Sequence, residues 1–435
     1  MNPKDKILFF HIMKTGGTTL TLLLDKQFNV SQLCPARHWY EMDVLSSEEV
    51  NNYTVFRGHF NFSQTEKLVS PPLIITALRN PVDRVISEYL HWRRAPEGFL
   101  KRNPAYGNVF HLAKKLTLAE FIGRDDESGF FINNRQAYQL ALPNSMPRAS
   151  TELTPQQVLE KAKENLEKFS IVGTMDEMQK TAELLCYRFN WMPPASLPNV
   201  RASIKDAVSD VSPELQKELE ERNSLDLQLY EYASARIKTQ HEAMLKELRV
   251  ALLSTVDNLQ TDIHQALHAR YEKAYKADHP NLLNELELTF DQAICGGGWY
   301  ERQFDLHNKL TWRWTGPGPV STLDLPLADD QDLRISVNIL KVADSDLLKN
   351  MKIRVNDISL PIAISGTPES QICAFDAPVS VLQRSPGRTR ISIEIDKTVK
   401  IPDRYPDSYI NAGLAVGGIK VIPLKSSPPL FGKSI

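Results

Sequence analysis

Residues 9–24 read FFHIMKTGGTTLTLLL, and this stretch decides how the N-terminal half folds. An apolar run ends in a lysine, two glycines and several hydroxyl residues, and a helix-forming run follows. A turn between a strand and a helix N-terminus gathers backbone N–H groups, and the helix dipole adds to their attraction for an anion. Gly16 and Gly17 let the backbone approach phosphate oxygens closely. Thr15, Thr18 and Thr19 add hydroxyl donors, and Lys14 adds a compact positive charge. In a Walker loop the lysine follows the glycines at a fixed spacing. Here Lys14 precedes them, so the loop is not the usual nucleoside triphosphate cradle. A plain strand-to-helix turn with an exposed lysine is the alternative.

A second stretch repeats the design. Residues 74–94, IITALRNPVDRVISEYLHWRR, again read as strand, turn and helix. Pro81 suits a first helical turn, and apolar residues at 82, 85, 86, 89 and 90 follow a helical period. Arg79 stands at the strand end and Ser87 about two turns into the helix. A guanidinium and a hydroxyl can together hold one terminal phosphate. The alternative pairs Arg79 with Asp83 and leaves Ser87 to packing. Two such strand ends in one sheet point to a nucleotide with phosphates at two separate places.

These stretches belong to a longer alternation of strand and helix. The runs 6–12, 53–60, 72–80 and 170–176 read as strands, and 18–28 and 154–169 as helices. The pattern predicts an α/β fold, a P-loop-like parallel sheet with flanking helices, over residues 1–238. A helical connector over 239–290 comes next. Leu245, Leu248, Leu252, Val256, Leu259, Ile263 and Leu267 step by three and four along it, as one stripe on a long helix. The stripe suits packing within the chain or, as a heptad-like seam over 239–275, a homo-oligomer. Beyond the breaker CGGGWY, apolar residues alternate: Leu333, Ile335, Val337 and Ile339, then Ile353 and Val355, then Ile391, Ile393 and Ile395. This predicts an all-β sandwich over 291–425, with a tail at 426–435.

The chain has 435 residues, and its formal net charge of −2 provides no global basic field to recruit nucleic acid. Its four cysteines lie far apart with no CxxC, which argues against a disulfide framework or a cysteine zinc site. No membrane span or signal peptide is legible, and the expected setting is cytoplasmic. His264 and His268 stand four apart, as a zinc pair would. They lack the glutamate and third ligand of such a site, so a solvated face is expected and no metal is required. Arg93, Arg94, Lys101 and Arg102 read as a solvated turn or as a rim for an acidic sugar. Trp299, Tyr300, Trp312 and Trp314 suit either a core or a surface for sugar rings.

The motif HIMKTGGTTL resembles the HxPKTGGTSL loop of the carbohydrate sulfotransferases, with Met13 where that family usually has proline. LRNPVDRVISEYLHWRR is similar to their IRDPxxRxxSxYxxxR segment. The resemblance covers residues 6–238. It implies that 3′-phosphoadenosine 5′-phosphosulfate (PAPS) is the sulfuryl donor and a carbohydrate or glycan-bearing molecule the acceptor. It puts Lys14, Thr15, Gly16, Gly17, Thr18 and Thr19 on the 5′-phosphosulfate and Arg79 and Ser87 on the 3′-phosphate. VFRGHFNF further resembles the HGH segment of the uronyl 2-O-sulfotransferases, with Arg57 in place of the first histidine and His59 matching the proposed base. A structural histidine closing a strand is the alternative for His59. Later segments extend the likeness and bring Arg201 or Lys205 over the donor. Without a signal anchor, a bacterial, cytoplasmic member of the family is expected. Two other readings remain: a non-catalytic nucleotide- or glycan-binding assembly protein, and a small-molecule kinase with an atypical phosphate loop.

Overall fold

The computed structural model describes residues 6–60, 62–96, 107–124, 132–142, 151–194, 197, 211–252, 259–305, 307–367, 370–402 and 409–424. The chain forms two compact units. The first takes in residues 1–21, 31–185 and 199–255, and the second 22–30, 186–198 and 256–435.

The first unit is built on four strands: β1 (Ile7–Phe10), β2 (Val55–Gly58), β3 (Leu73–Leu78) and β4 (Ile171–Thr174). They pair in the order β2-β1-β3-β4, and every pairing is parallel. Nearly every residue of the four is buried, as expected for a parallel sheet covered on both faces. Leu8, Phe10, Phe56, Ile74, Leu78 and Val172 share one core with Leu225, Leu229 and Ala233. The order matters for function. β1 connects to β2 on one side and has β3 on the other, which creates a switch point. Open parallel sheets bind ligands at such points, beyond the carboxyl ends of the strands.

Helix α1 (Gly17–Asp25) follows β1, and a short helix α2 (Trp39–Asp43) precedes β2. Helix α3 (Pro81–Arg94) follows β3. Asn80 caps it by accepting from the N–H groups of Val82 and Asp83, and Pro81 fills the position where a missing N–H costs nothing. Helix α4 spans Arg135–Ala141. Helix α5 (Pro155–Glu167) starts as its sequence predicts, with Thr154 accepting from the N–H of Gln157 and Pro155 next. Helix α6 spans Met178–Phe189. The apolar stripe expected on one long helix lies on two, α7 (Ser224–Leu252) and α8 (Leu259–Asp278), with 253–258 outside the described residues. Of that stripe, Leu248 and Leu267 are buried and Leu245 and Ile263 half-buried.

The second unit carries the β-rich region. A four-stranded antiparallel sheet orders Ile358–Leu360, Lys352–Val355, Thr389–Glu394 and Val320–Leu325. A larger antiparallel sheet centres on Ser370–Ala377, Leu333–Val342 and Leu414–Pro423. The two sheets share one apolar core, which contains Ile353, Val355, Ile391 and Ile393 from the first and Leu333, Ile335, Val337 and Ile339 from the second. The arrangement resembles a sandwich. Trp299, Tyr300, Trp312 and Trp314 are all buried, so these aromatics are core and not an open surface for sugars. His264 and His268 stack at 6.4 Å, and His268 faces Glu272 at 3.5 Å.

A buried ion cluster pins this unit. The carboxylate of Asp25 lies 2.8 Å from the Arg313 guanidinium and 3.4 Å from that of Arg302, and all three side chains are about 1% exposed. Arg302 and Arg313 also donate to the Asp25 carbonyl, at 2.8 and 3.2 Å. Removing one partner of a buried pair strands charge in a medium that solvates it poorly. Asp25→Ala is therefore expected to lower unfolding stability by about 3–5 kcal/mol, read as a fall in the denaturant midpoint. A midpoint equal to that of the parent protein would contradict this.

Candidate active site

The parallel register fixes what meets at the carboxyl ends of the strands. Phe10 pairs with Gly58, so the residues after them, His11 and His59, leave the sheet side by side. The N–H of His11 donates to the Gly58 carbonyl at 3.0 Å. Phe9 pairs with Ile75 on the other side, which sets the turn after β1 next to the turn after β3.

The first turn adopts an unusual backbone. Lys14 has φ 68° and Gly16 φ 84°, both in the left-handed region. For lysine that conformation is uncommon, and such strain gathers at functional sites. Gly17 is required for another reason. A Cβ there would lie 1.9 Å from Nε2 of His11, so only glycine lets that imidazole pack on the helix start. Thr15 is buried, and its hydroxyl donates to the Ile12 carbonyl at 2.9 Å, which closes the turn. Thr18 and Thr19 are half-buried in the first turn of α1, where an anion would meet the helix N-terminus.

Arg79 joins the two turns. It is 7% exposed, and its guanidinium donates to the Lys14 carbonyl at 3.2 Å. Its backbone is held by Gln136, which accepts from the Arg79 N–H and donates to the Arg79 carbonyl, both at 2.9 Å. Gln136 lies in the first turn of α4. That turn is held in place by Asp226 of α7, whose carboxylate accepts from the N–H groups of Gln136 and Ala137 at 3.1 and 2.7 Å. Ser87 is half-buried on the second turn of α3. Past β4, the Tyr230 hydroxyl donates to the Asp176 carboxylate, and burial together with that contact pushes the phenol up to about 12.

His59 sits in a row of aromatic rings. Phe9 stacks on His11 at 5.2 Å, His11 on His59 at 4.4 Å, His59 on His38 at 5.4 Å, and His38 on Tyr40 at 5.2 Å. Nδ1 of His59 lies 2.9 Å from the His11 carbonyl. A carbonyl only accepts, so Nδ1 carries the proton and Nε2 holds the lone pair. Gln139 of α4 donates to the same carbonyl at 3.3 Å. Burial pushes the His59 imidazole down to about 4, helped by the charges of His38 and Arg135 and opposed by the His11 carbonyl. The ring is therefore neutral at neutral pH. Gly58 is needed beside it, because a Cβ there would lie 2.2 Å from the Arg37 carbonyl.

The structure thus brings Lys14, Thr15, Gly16, Gly17, Thr18, Thr19, Arg79 and His59 to one end of the sheet. Arg57 is buried on β2 and pairs with Phe9. Arg201, Lys205, Lys101 and Arg102 lie outside the described residues. Arg93 and Arg94 are exposed, and the Arg93 guanidinium packs on the Tyr89 ring. Sequence reasoning missed His38, Arg135, Gln136, Gln139 and Asp226. Two glutamines three apart in RQAYQ, one turn of a helix, were the available signal. Among the described residues, no group of three or more histidine, cysteine or acidic side chains gathers as a metal site would.

Comparison with known proteins shows the family of the chain. The profile described as Sulfotransferase family matches residues 1–233. Heparan-sulfate 6-O-sulfotransferase 2 of Danio rerio is 26% identical over 275 residues, which is 53% of this chain and 57% of that protein. The protein of the same name in Gallus gallus is 24% identical over 272 residues, 53% of this chain and 66% of its own length. The human protein of that name is also 24% identical over 272 residues, 53% of this chain and 44% of its own length. This chain therefore spans about half to two thirds of the curated relatives it matches. Two expectations are corrected. These relatives carry a 6-O name, so the likeness is not specifically to the 2-O subgroup. They are vertebrate proteins, which overturns the bacterial setting expected from the sequence.

The neutral state of His59 is directly measurable. Its imidazole resonances, assigned by loss in His59→Asn, should titrate with a midpoint near 4. An unperturbed histidine titrates at about 6.5. A midpoint at that ordinary value would mean that the ring is not held as described.

Proposed function

Because the chain belongs to the sulfotransferase family, we propose that it moves a sulfuryl group from PAPS to a hydroxyl of a carbohydrate or glycan-bearing acceptor. The observation that carries this reading is the Arg79–Lys14 contact between two strand-end turns. One turn offers a lysine, a helix N-terminus and hydroxyls; the other offers a buried guanidinium and Ser87. A nucleotide with phosphates at both its 3′ and 5′ positions matches that pair. Lys14, Thr15, Gly16, Gly17, Thr18 and Thr19 take the 5′ end, and Arg79 and Ser87 the 3′-phosphate. Arg201 is assigned to the same donor by resemblance alone. With a Cβ at Gly16 or Gly17 the turn would meet Met178 or His11, so packing within the chain favours glycine at both positions.

The chemistry follows from these residues. Nε2 of His59 accepts the proton of the acceptor hydroxyl, whose oxygen attacks sulfur as the bond from sulfur to the 5′-phosphate oxygen breaks. Neutral histidine is the form that can accept, and its tautomer is fixed for the task. Lys14 and the turn's N–H groups stabilise the charge that grows on the departing phosphate, which is adenosine 3′,5′-bisphosphate once the sulfuryl group has left. The vertebrate relatives are named for 6-O transfer to heparan sulfate. A glycan hydroxyl is the acceptor class carried over to this chain. Among the described residues no helix is long and apolar enough to cross a membrane.

The test uses labelled PAPS, candidate glycans and mass spectrometry for a sulfate adduct. Lys14→Ala and His59→Ala are each expected to cut turnover by about 100-fold or more, as removal of a charge-stabilising donor or a general base does. His59→Ala should keep the thermal stabilisation by adenosine 3′,5′-bisphosphate. Normal turnover in either variant would remove that residue from its role. Stabilisation by ATP or GTP, with none by the bisphosphate, would favour a kinase instead.

A further inference from the structure

Helix α4 carries two glutamines to the ends of two neighbouring strands. Gln136 and Gln139 stand three apart in it and so share a face. The Gln136 amide grips the peptide of Arg79, after β3, on both sides at 2.9 Å. The Gln139 amide N–H donates at 3.3 Å to the carbonyl of His11, after β1, and that oxygen also accepts from Nδ1 of His59. The helix is tied at both ends. Asn134, just before it, accepts from the N–H groups of Leu225 and Asp226 at 3.0 and 3.1 Å. Asn165 of α5 donates to the Leu140 carbonyl at 2.8 Å. One anchored helix thus sets the acceptor of His59 relative to Arg79. Gln139 does so against its own packing. Its Oε1 is buried, and among the described residues it has no hydrogen-bond partner. An unpaired buried amide oxygen disfavours folding, and an apolar side chain of the same length would avoid it. Packing alone does not account for a glutamine here; its N–H does.

We infer that Gln139 is a positioning residue for the base: its N–H holds the His11 carbonyl in place, and that carbonyl aims Nε2 of His59 at the acceptor hydroxyl. The inference rests on the reading of His59 as the base. A carbonyl with a second donor on a separate, anchored helix is less free to follow the imidazole as it turns, and small errors in aim are costly in proton transfer. The shared oxygen has another effect. Gln139 competes with Nδ1–H for it, so the His59 bond is weaker than it would be alone. A hydrogen bond to the charged ring favours that form, so the competition helps to keep the ring neutral. His11 and His38 stack on His59, and the charge of Arg135 faces it from α4. A substitution at Gln139 alters none of them.

Gln139→Met tests this, because it keeps the length of the side chain and removes both the N–H and the unpaired oxygen. Transfer from labelled PAPS to heparan sulfate, the glycan in the relatives' names, is measured beside the His59 titration and the denaturant midpoint. The variant should lose about 5-fold or more in kcat, the scale of one hydrogen bond, with KM for PAPS unchanged. Its His59 should titrate above the parent's midpoint of about 4. Its denaturant midpoint should equal or exceed that of the parent. A His59 midpoint identical to the parent's, a kcat equal to that of an active parent, or a loss of kcat matched by a fall in denaturant midpoint would overturn the inference. A shifted His59 midpoint in a protein whose parent transfers nothing would uphold the hold on His59 and sink the proposed reaction.

Discussion

The geometry of the candidate site depends on one hydrogen bond, from the Arg79 guanidinium to the Lys14 carbonyl. It crosses between the ends of two adjacent parallel strands and closes the two turns into one surface. Lys14 can adopt a left-handed backbone because its carbonyl has a charged partner. Arg79 can be buried because Gln136 satisfies its backbone, and Gln136 is in turn fixed by Asp226 at the start of a different helix. Among the described residues the Arg79 guanidinium donates to the Lys14 carbonyl alone, and its other N–H groups suit the proposed role at an anion.

The same sheet sets the other half of the site. Parallel pairing brings His11 and His59 out together, and the carbonyl of one fixes the tautomer of the other. Burial keeps the His59 imidazole uncharged well below neutral pH. A charged histidine could not accept a proton, so enclosure by His11 and His38 serves the proposed chemistry as well as packing.

Much of this was legible in the sequence. The strands, the start of α3 at Pro81, and the Lys14–Thr19 turn follow from local rules, in which residue type and spacing decide the backbone. The alternating isoleucines of the β-rich region did the same for its core. The hidden part is non-local. Asp226 meets Gln136 across 90 residues, and nothing near either position marks it as a partner. His38 reaches His59 through an edge pairing of a short segment that carries no strand pattern of its own. The aromatic cluster near residue 300 was ambiguous because burial, not composition, separates core from surface. The bacterial setting failed for a different reason: the length and start of a chain hold little physical information about its source.

The most direct measurement is a structure of the protein with adenosine 3′,5′-bisphosphate bound. The account requires the 5′-phosphate within the Lys14–Thr19 turn, the 3′-phosphate against Arg79 and Ser87, and Nε2 of His59 facing the 5′ end. A bound nucleotide with Lys14 and Arg79 directed into unrelated cavities, or a 3′-phosphate left in solvent, would contradict it.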